Sequence, residues 1–211
     1  MRKKGKLRFI SDLHLGHYNA MTILDERGFK TLDEMDQYII KQWNSIVDPN
    51  DTVVILGDLS FYNGSKTLSL IKQLKGNKIL IKGNHERYLK DPEFDIKVFN
   101  YIDRYDEIQD GERRIICSHF PNIFYNGQYR KTSDGKPASY MVYGHIHNTQ
   151  DMQLFEKMME MAKEYTYINK RDNTECKIPF NLINCFCMFS DYKPLTIDEW
   201  VENKKERDAN C

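Results

Sequence analysis

Short runs of Val, Ile, Leu and Phe, bounded by glycine or charged residues, recur along the chain and read as buried strands. Between them, apolar residues spaced three and four apart read as helices. Leu7-Arg-Phe-Ile10 is the first strand. Thr31-Leu-Asp-Glu34 matches a capping box and opens an apolar stripe of Leu32, Met35, Ile39, Trp43 and Ile46 that stops before Asp48. Between Thr52 and Gly57 the residues Val53, Val54, Ile55 and Leu56 predict a strand apolar on both faces, as in the middle of an α/β sheet. Phe61 to Ser65 reads as a loop, Lys66 to Lys75 as a short helix closed by Gly76, and Lys78 to Lys82 as another buried strand. Asp91-Pro92 is expected to start a helix with Phe94, Val98 and Ile102 along one side. Tyr105 to Gln109 and Arg113 to Cys117, joined across Asp110-Gly111, read as a hairpin.

Residues 122–139 show no periodicity and form a polar and aromatic loop of a length typical of binding loops. Met141 to Tyr143 returns to a strand. Asp151 to Lys163 is a Met-rich helix expected to serve core packing. Asn169 to Asn173 is a turn and Phe180 to Phe189 a late strand. Pro194 leads into a final helix with Thr196 and Glu199 as a second capping box, and the polar tail from Asn203 to Cys211 is expected to fray. With no internal repeat and no low-complexity linker, the reading is a single domain over residues 1–211.

Composition narrows the partners. Lys+Arg 31 balance Asp+Glu 31, with a pI near 7.0, so the basic excess of a protein gripping long nucleic acid is absent and a small or locally recognised substrate is expected. The basic stretch Arg2 to Lys6 is followed only by Leu7, Phe9 and Ile10 before Asp12, which gives no signal-peptide core, and no segment has the length of a membrane span. Cys117, Cys176, Cys185, Cys187 and Cys211 form no Cys-x-x-Cys pair, so reduced thiols in a cytoplasm are expected, with Cys117, Cys185 and Cys187 as small core residues.

The chemistry collects at strand ends. Asp12 and His14 follow the first strand, and an extended backbone there would point both to one side as a two-residue clamp. Asp58 follows Gly57, Asn84-His85-Glu86 follows Gly83, His119 follows Ser118, and Gly144 precedes His145-Ile146-His147, where two ligand types again alternate. Parallel strands deliver such residues to one sheet edge. All six histidines (His14, His17, His85, His119, His145 and His147) lie at or just past a strand-like run. Oxygen and nitrogen donors without a thiolate suit manganese, iron or zinc, with nickel also compatible. Two Asp, one Asn and four His exceed the needs of one tetrahedral ion and suffice for two ions sharing a bridging carboxylate.

Together Asp12-Leu-His14, Gly57-Asp58, Gly83-Asn84-His85-Glu86, Ser118-His119 and Gly144-His145-Ile-His147 resemble the ordered five-block signature of calcineurin-like metallophosphoesterases, over residues 7 to 147. The His17 and Asn19 extension and the 184–199 segment resemble a small bacterial and phage branch. The resemblance implies an α/β fold in four layers, two mixed β-sheets facing each other between helices, with the site at the sheet edges. It implies one divalent metal, manganese foremost, held by Asp12, His14, Asp58 and His147, and a second held by Asp58, Asn84, His119 and His145, with Asp58 bridging. It further implies hydrolysis of a phosphomonoester or phosphodiester by a metal-bridging hydroxide. His85, left without a metal, is then the general acid, and Glu86 stands where relatives often carry Asp and would fix its tautomer. Asn84, His17 and Asn19 are the candidate substrate contacts, His17 and Asn19 being equally compatible with a structural loop role.

The expected substrate is a small phosphoester or nucleotide. A nuclease acting on single-stranded nucleic acid or RNA ends is a second reading, using Tyr125, Tyr129, Arg130 and Lys131 as a stacking and phosphate patch. A non-catalytic protein-binding scaffold on the same fold is a third, disfavoured because every ligand type is present. Ser11 to Leu15 is also similar to lipid-precursor pyrophosphatases, but no hydrophobic lid segment accompanies it.

Overall fold

A computed structural model of the chain describes residues 5–209, so the basic residues Arg2 to Lys4 and the thiol of Cys211 lie outside it. The strands β1 (Leu7–Ile10), β2 (Thr52–Ile55), β3 (Asn77–Ile81) and β4 (Tyr101–Asp103) form one sheet in that order, all parallel. A second sheet runs β10 (Leu182–Asn184), β7 (Ser139–Tyr143), β6 (Arg113–Ser118), β5 (Tyr105–Asp110), parallel except for the β5–β6 hairpin. The strands β8 (Thr166–Asn169) and β9 (Thr174–Lys177) make a separate antiparallel hairpin around the expected 169–173 turn.

Alternation along the strands sets the layers. Val53 and Ile55 face outward from the first sheet onto α1 (Leu32–Ile46) and α2 (Gly64–Ile71), where Met35, Ile39, Trp43, Leu70 and Ile71 are buried. Val54 faces inward against Ile115, Cys117 and Val142 of the second sheet, with Ile197 and Trp200 of α4 (Ile197–Ala209) closing that layer. Ile116, Met141 and Tyr143 face out again onto α3 (Gln150–Glu164). Helix, sheet, sheet, helix is therefore the order of layers, as the resemblance implied. The interior consists of both faces of each sheet, which is why the strands read as unbroken apolar runs. Cys117, Cys185 and Cys187 are buried and free, as expected.

The second capping box closes reciprocally, while in the first the Glu34 carboxylate reaches one residue further back, to Lys30 rather than to the N-cap Thr31. The Glu34 N–H donates to Thr31 Oγ1 at 3.1 Å and the Lys30 N–H to Glu34 Oε2 at 2.9 Å. Thr196 N–H donates to Glu199 Oε2 at 2.8 Å and Glu199 N–H to Thr196 Oγ1 at 3.4 Å.

Four expectations are corrected. The helix from Asp91 does not form: Asp91 accepts from the Gly64 and Glu93 N–H groups and Asp95 from Lys97 N–H, and such side-chain bonds compete with a helical ladder. Short 3-10 turns at Arg87–Lys90 and Ile96–Val98 replace it, and Ile102 pairs with Leu80 in β4. The second helix starts earlier than Lys66 because Asn63 caps it, and it ends at Ile71. The late strand is confined to Leu182–Asn184, after which the chain turns through a 3-10 helix at Cys187–Ser190. The tail from Asn203 is helical to Ala209, held by a Lys204–Asp208 pair and by the Arg207 guanidinium 3.8 Å from the Phe189 ring centroid. Among the described residues no helix is long and apolar enough to cross a membrane.

Candidate metal centre and active site

The parallel strands β1, β2 and β3 end at one edge, and β6 and β7 end against it from the other sheet. The side chains beyond those ends are not carried on extended backbone, as the sequence led one to expect. Asp12, His14, Asp58, His145 and His147 all have positive φ, between 44° and 71°, and make up five of the nine such non-glycine residues described. Left-handed conformations at Asp and His cost stability and concentrate where a site requires them. Here they curl each loop back over its own strand end, so that Asp12 and His14 converge by a turn rather than by the pleat.

Three imidazoles share one orientation. His119 Nδ1 lies 2.8 Å from the Leu56 carbonyl, which accepts only from a protonated nitrogen, so its lone pair is on Nε2. That Nε2 is 2.9 Å from Asn84 Oδ1 and 3.6 Å from Asp58 Oδ2. His147 Nδ1 donates to Asp25 Oδ1 at 2.7 Å and turns its Nε2 to Asp12 Oδ1 at 3.4 Å. His14 Nδ1 meets His17 Nδ1 at 2.8 Å, leaving Nε2 buried and without a hydrogen-bond partner, 3.6 Å from Asp58 Oδ2 and 3.9 Å from Asp12 Oδ1. A buried ring nitrogen without a hydrogen-bond partner, aimed at two carboxylates, is a costly arrangement that a cation would satisfy.

Among the described residues two groups have the reach of a metal site: Asp12, His14 and His147, and Asp12, Asp58 and His119. Asp12 belongs to both, and Asp58 Oδ2 stands equally far from the His14 and His119 nitrogens, at 3.6 Å from each. The donors are oxygen and imidazole nitrogen, all buried, and they fit divalent cations of the manganese, iron or zinc type.

The electrostatics agree. Burial pushes the His14 imidazole down to about 2, so it stays neutral and able to ligate. Burial favours protonation of Asp12, but the hydrogen bond to His147 and the surrounding imidazoles win and hold its carboxyl well below the usual carboxylate range. Burial would lower His147, yet Asp12 and Asp25 raise it to about 9, and a cation beside Asp12 would take the place of the Nε2 proton that compensates these carboxylates. Burial raises Asp58, and the neighbouring Asp12 charge adds to it.

Glycines make the convergence possible. A Cβ on Gly83 would lie 2.2 Å from Asp58 Oδ1, and one on Gly144 would lie 2.4 Å from Asp12 Oδ2. Each glycine thus leaves the space that a carboxylate from another block occupies.

The remaining candidates surround this cluster. His145 donates its backbone N–H to Asp12 at 3.1 Å, while its exposed ring packs edge-on to His119 and Phe120 at 5.0 and 4.5 Å between centroids. His85 donates its N–H to Asp58 Oδ1 at 3.0 Å and sets its half-buried ring 4.8 Å from Phe61. Glu86 does not pair with His85: its Oε1 accepts from Leu59 N–H at 3.3 Å and its Oε2 is buried without a partner. The longer side chain carries the carboxyl past His85 into the Asp58 loop, where burial and the Asp58 charge raise it to about 7. His17 stacks on Phe61 at 3.6 Å. Asn19 is exposed at the start of the π-helical turn Ala20–Leu24 and makes no side-chain capping bond there. Of the proposed nucleic-acid patch, Tyr125 is turned inward, its hydroxyl accepting from Asn181 N–H at 2.9 Å, while Tyr129 is exposed.

The chain matches the calcineurin-like phosphoesterase family over residues 5–207. It belongs to that family. An uncharacterised protein of Methanocaldococcus jannaschii is 26% identical over 195 residues, covering 92% of this chain and 88% of the relative. The gene 66 protein of Mycobacterium phage L5 is 31% identical over 165 residues, covering 66% of this chain and 76% of the phage protein. A crystal structure of an Aquifex aeolicus protein of unknown function superposes with a TM-score of 0.60 at 23% identity, over 93% of this chain and 97% of that one, and shares the fold.

Two residues that the sequence pattern did not reveal support this calcineurin-like site. Asp25 accepts from His147 Nδ1 and from Arg27, whose side chain is buried and whose Nη1 and Nη2 donate to the Leu13 and Asp12 carbonyls at 2.6 and 3.0 Å. Arg27 thereby braces the left-handed loop while Asp25 fixes the His147 tautomer. Asp25→Ala is expected to lower metal affinity about 10- to 100-fold, the usual effect of removing the carboxylate that orients a candidate ligand histidine, read by titrating metal into chelator-treated protein. Unchanged affinity would remove Asp25 from this role.

Proposed function

We propose that the protein is a dinuclear metal-dependent phosphoesterase acting on a small phosphomonoester or phosphodiester. The observation that carries this reading is the placement of Asp58 Oδ2 at 3.6 Å from both the His14 and the His119 Nε2 atoms, between two groups of ligand side chains. Divalent cations bound there would supply a water of lowered pKa and positive charge for the phosphoryl oxygens. The chain's own groups do the rest. Asp12 and Asp58 supply the negative charge that holds the cations, with Asp58 fixed through Oδ1 by the His85 N–H. Asn84 Oδ1 and the His119 Nε2 lone pair, two acceptors 2.9 Å apart, would both turn to a cation, which leaves the Asn84 amide N–H groups for a phosphoryl oxygen. His85, outside both ligand groups and half-exposed beside them, donates a proton to the departing oxygen.

The leaving group meets aromatic walls. Phe61, packed on His17 and His85, and Phe120, packed on His119 and His145, are both exposed beside the cluster. Exposed rings beside a polar pocket suit a leaving group with a ring of its own, such as a nucleoside. Phe61→Ala and Phe120→Ala are expected to raise KM about 5- to 50-fold for nucleotide esters, the worth of a stacking contact, while leaving KM for an alkyl phosphate near that of the parent. Equal effects on both substrates would remove the rings from leaving-group recognition. Net neutrality and the inward-facing Tyr125 weigh against the nuclease reading, and the two converging groups of buried ligand side chains against the scaffold.

The deciding experiment is a panel of aryl, alkyl and nucleoside mono- and diesters presented to protein loaded separately with manganese, iron, nickel and zinc. Turnover with at least one metal is expected. Absence of hydrolysis under every combination would sink the reading.

A further inference from the structure

The helix α3 is apolar on two faces. Its inward side buries Met152 and Met159 against the second sheet. On its outward side Leu154, Met158, Met161 and Tyr165 are 60, 48, 78 and 61% exposed, so the expectation of a Met-rich helix serving core packing holds for only part of it. The spacing of four, three and four residues places these side chains in one stripe, the a and d seam of a two-stranded coiled coil. A lone exposed methionine needs no explanation, but three large apolar side chains aligned along one helix, continued by Tyr165 at its C-cap, mark an interaction site.

The edges of the stripe indicate what covers it. Lys157 and Glu164 lie on the same edge, one heptad apart, while half-buried Phe155 and Ala162 occupy the other. In an antiparallel pairing of two such helices, Leu154 of each meets Tyr165 of the other and Met158 meets Met161. Lys157 then falls beside Glu164 of the second copy on both sides of the two-fold axis, which makes the surface complementary in charge to itself. Within the chain Glu164 makes an exposed 3.7 Å contact with Lys177, a pairing too weak to hold it back. The charges of α3, Asp151, Glu156, Glu160 and Glu164 against Lys157 and Lys163, are mainly acidic, unlike the basic face of a helix that lies on a membrane. We propose that the Leu154–Met158–Met161–Tyr165 face of α3 is a self-association surface that pairs antiparallel with the same face of a second copy.

The test is light scattering on the full chain from about 1 μM to about 500 μM, the range in which one helix pair of this size would associate. The mass is expected to rise from one chain to two. Met158→Glu should leave the protein a monomer throughout, with an unchanged circular dichroism spectrum. Lys157→Glu should raise the dimer Kd about tenfold by turning two attractions into repulsions, and adding Glu164→Lys to it should restore the parent value. Lys205→Ala, which breaks the distant Lys205–Glu202 pair, serves as a control that should not change it. One-chain mass at every concentration overturns the proposal, as does a dimer insensitive to Met158→Glu. Failure of the double charge swap to restore pairing overturns the antiparallel arrangement, and a monomer that sediments with phosphatidylglycerol vesicles assigns the stripe to a membrane instead.

Discussion

Asp58→Asn is expected to lower turnover at least about 10³-fold and to reduce bound metal from two ions per chain to one or none, measured by elemental analysis beside the rate on the best ester of the panel. The size of the effect follows from position. One oxygen of Asp58 faces both the His14 and the His119 nitrogens, and the other accepts the His85 N–H, so the substitution weakens both ligand groups and loosens the loop bearing His85. Asn keeps the shape and loses the charge, which isolates the electrostatic part from packing. Two ions retained with turnover within about tenfold of the parent would mean that Asp58 does not bridge, and Asp12, common to both ligand groups, would take its place.

The second large effect separates chemistry from metal binding. His85→Ala is expected to keep the full metal content while turnover falls about 10²- to 10⁴-fold, the usual worth of a general acid. The loss should shrink for esters with good leaving groups, because a nitrophenolate departs without help from a proton. The backbone N–H that holds Asp58 survives the substitution, so the ligand groups stay in place. Full activity on a poor leaving group would remove His85 from the reaction. A loss of metal together with rate would place it among the ligands instead.

The residues at the strand ends were legible because strand, glycine and polar side chain recur in a pattern that a sequence displays openly, as at Gly57-Asp58 and Gly83-Asn84. Their backbone conformation was not. Reading Asp12 and His14 as a pleated pair assumed that the first strand continues past Ile10, whereas both residues turn left-handed under bonds from neighbouring loops, such as His14 N–H to the Asp58 carbonyl. Asp25 and Arg27 were invisible for another reason: no strand precedes them, and the partner that gives Asp25 its role, His147, is 122 residues away. The same limit applies to the segment after Asp91, where polar side chains capture backbone donors and the edge of β3 supplies a ladder that a helical stripe cannot foresee. In α3 the apolar positions were seen, but residues apolar on two sides carry no sign of which side meets the sheet.

The tight fit at Gly144 reaches further than its own loop. Asp12 stands on the first sheet and the gap it occupies belongs to the second, so the spacing between the sheets is a tolerance of the cation cage. An added methylene at Val54, Cys117 or Val142 would prise the layers apart and be felt by the carboxylates without touching them. The thickness of the oily middle is in this sense a calibrated dimension, one that drift in sequence can alter only by matched exchanges across it.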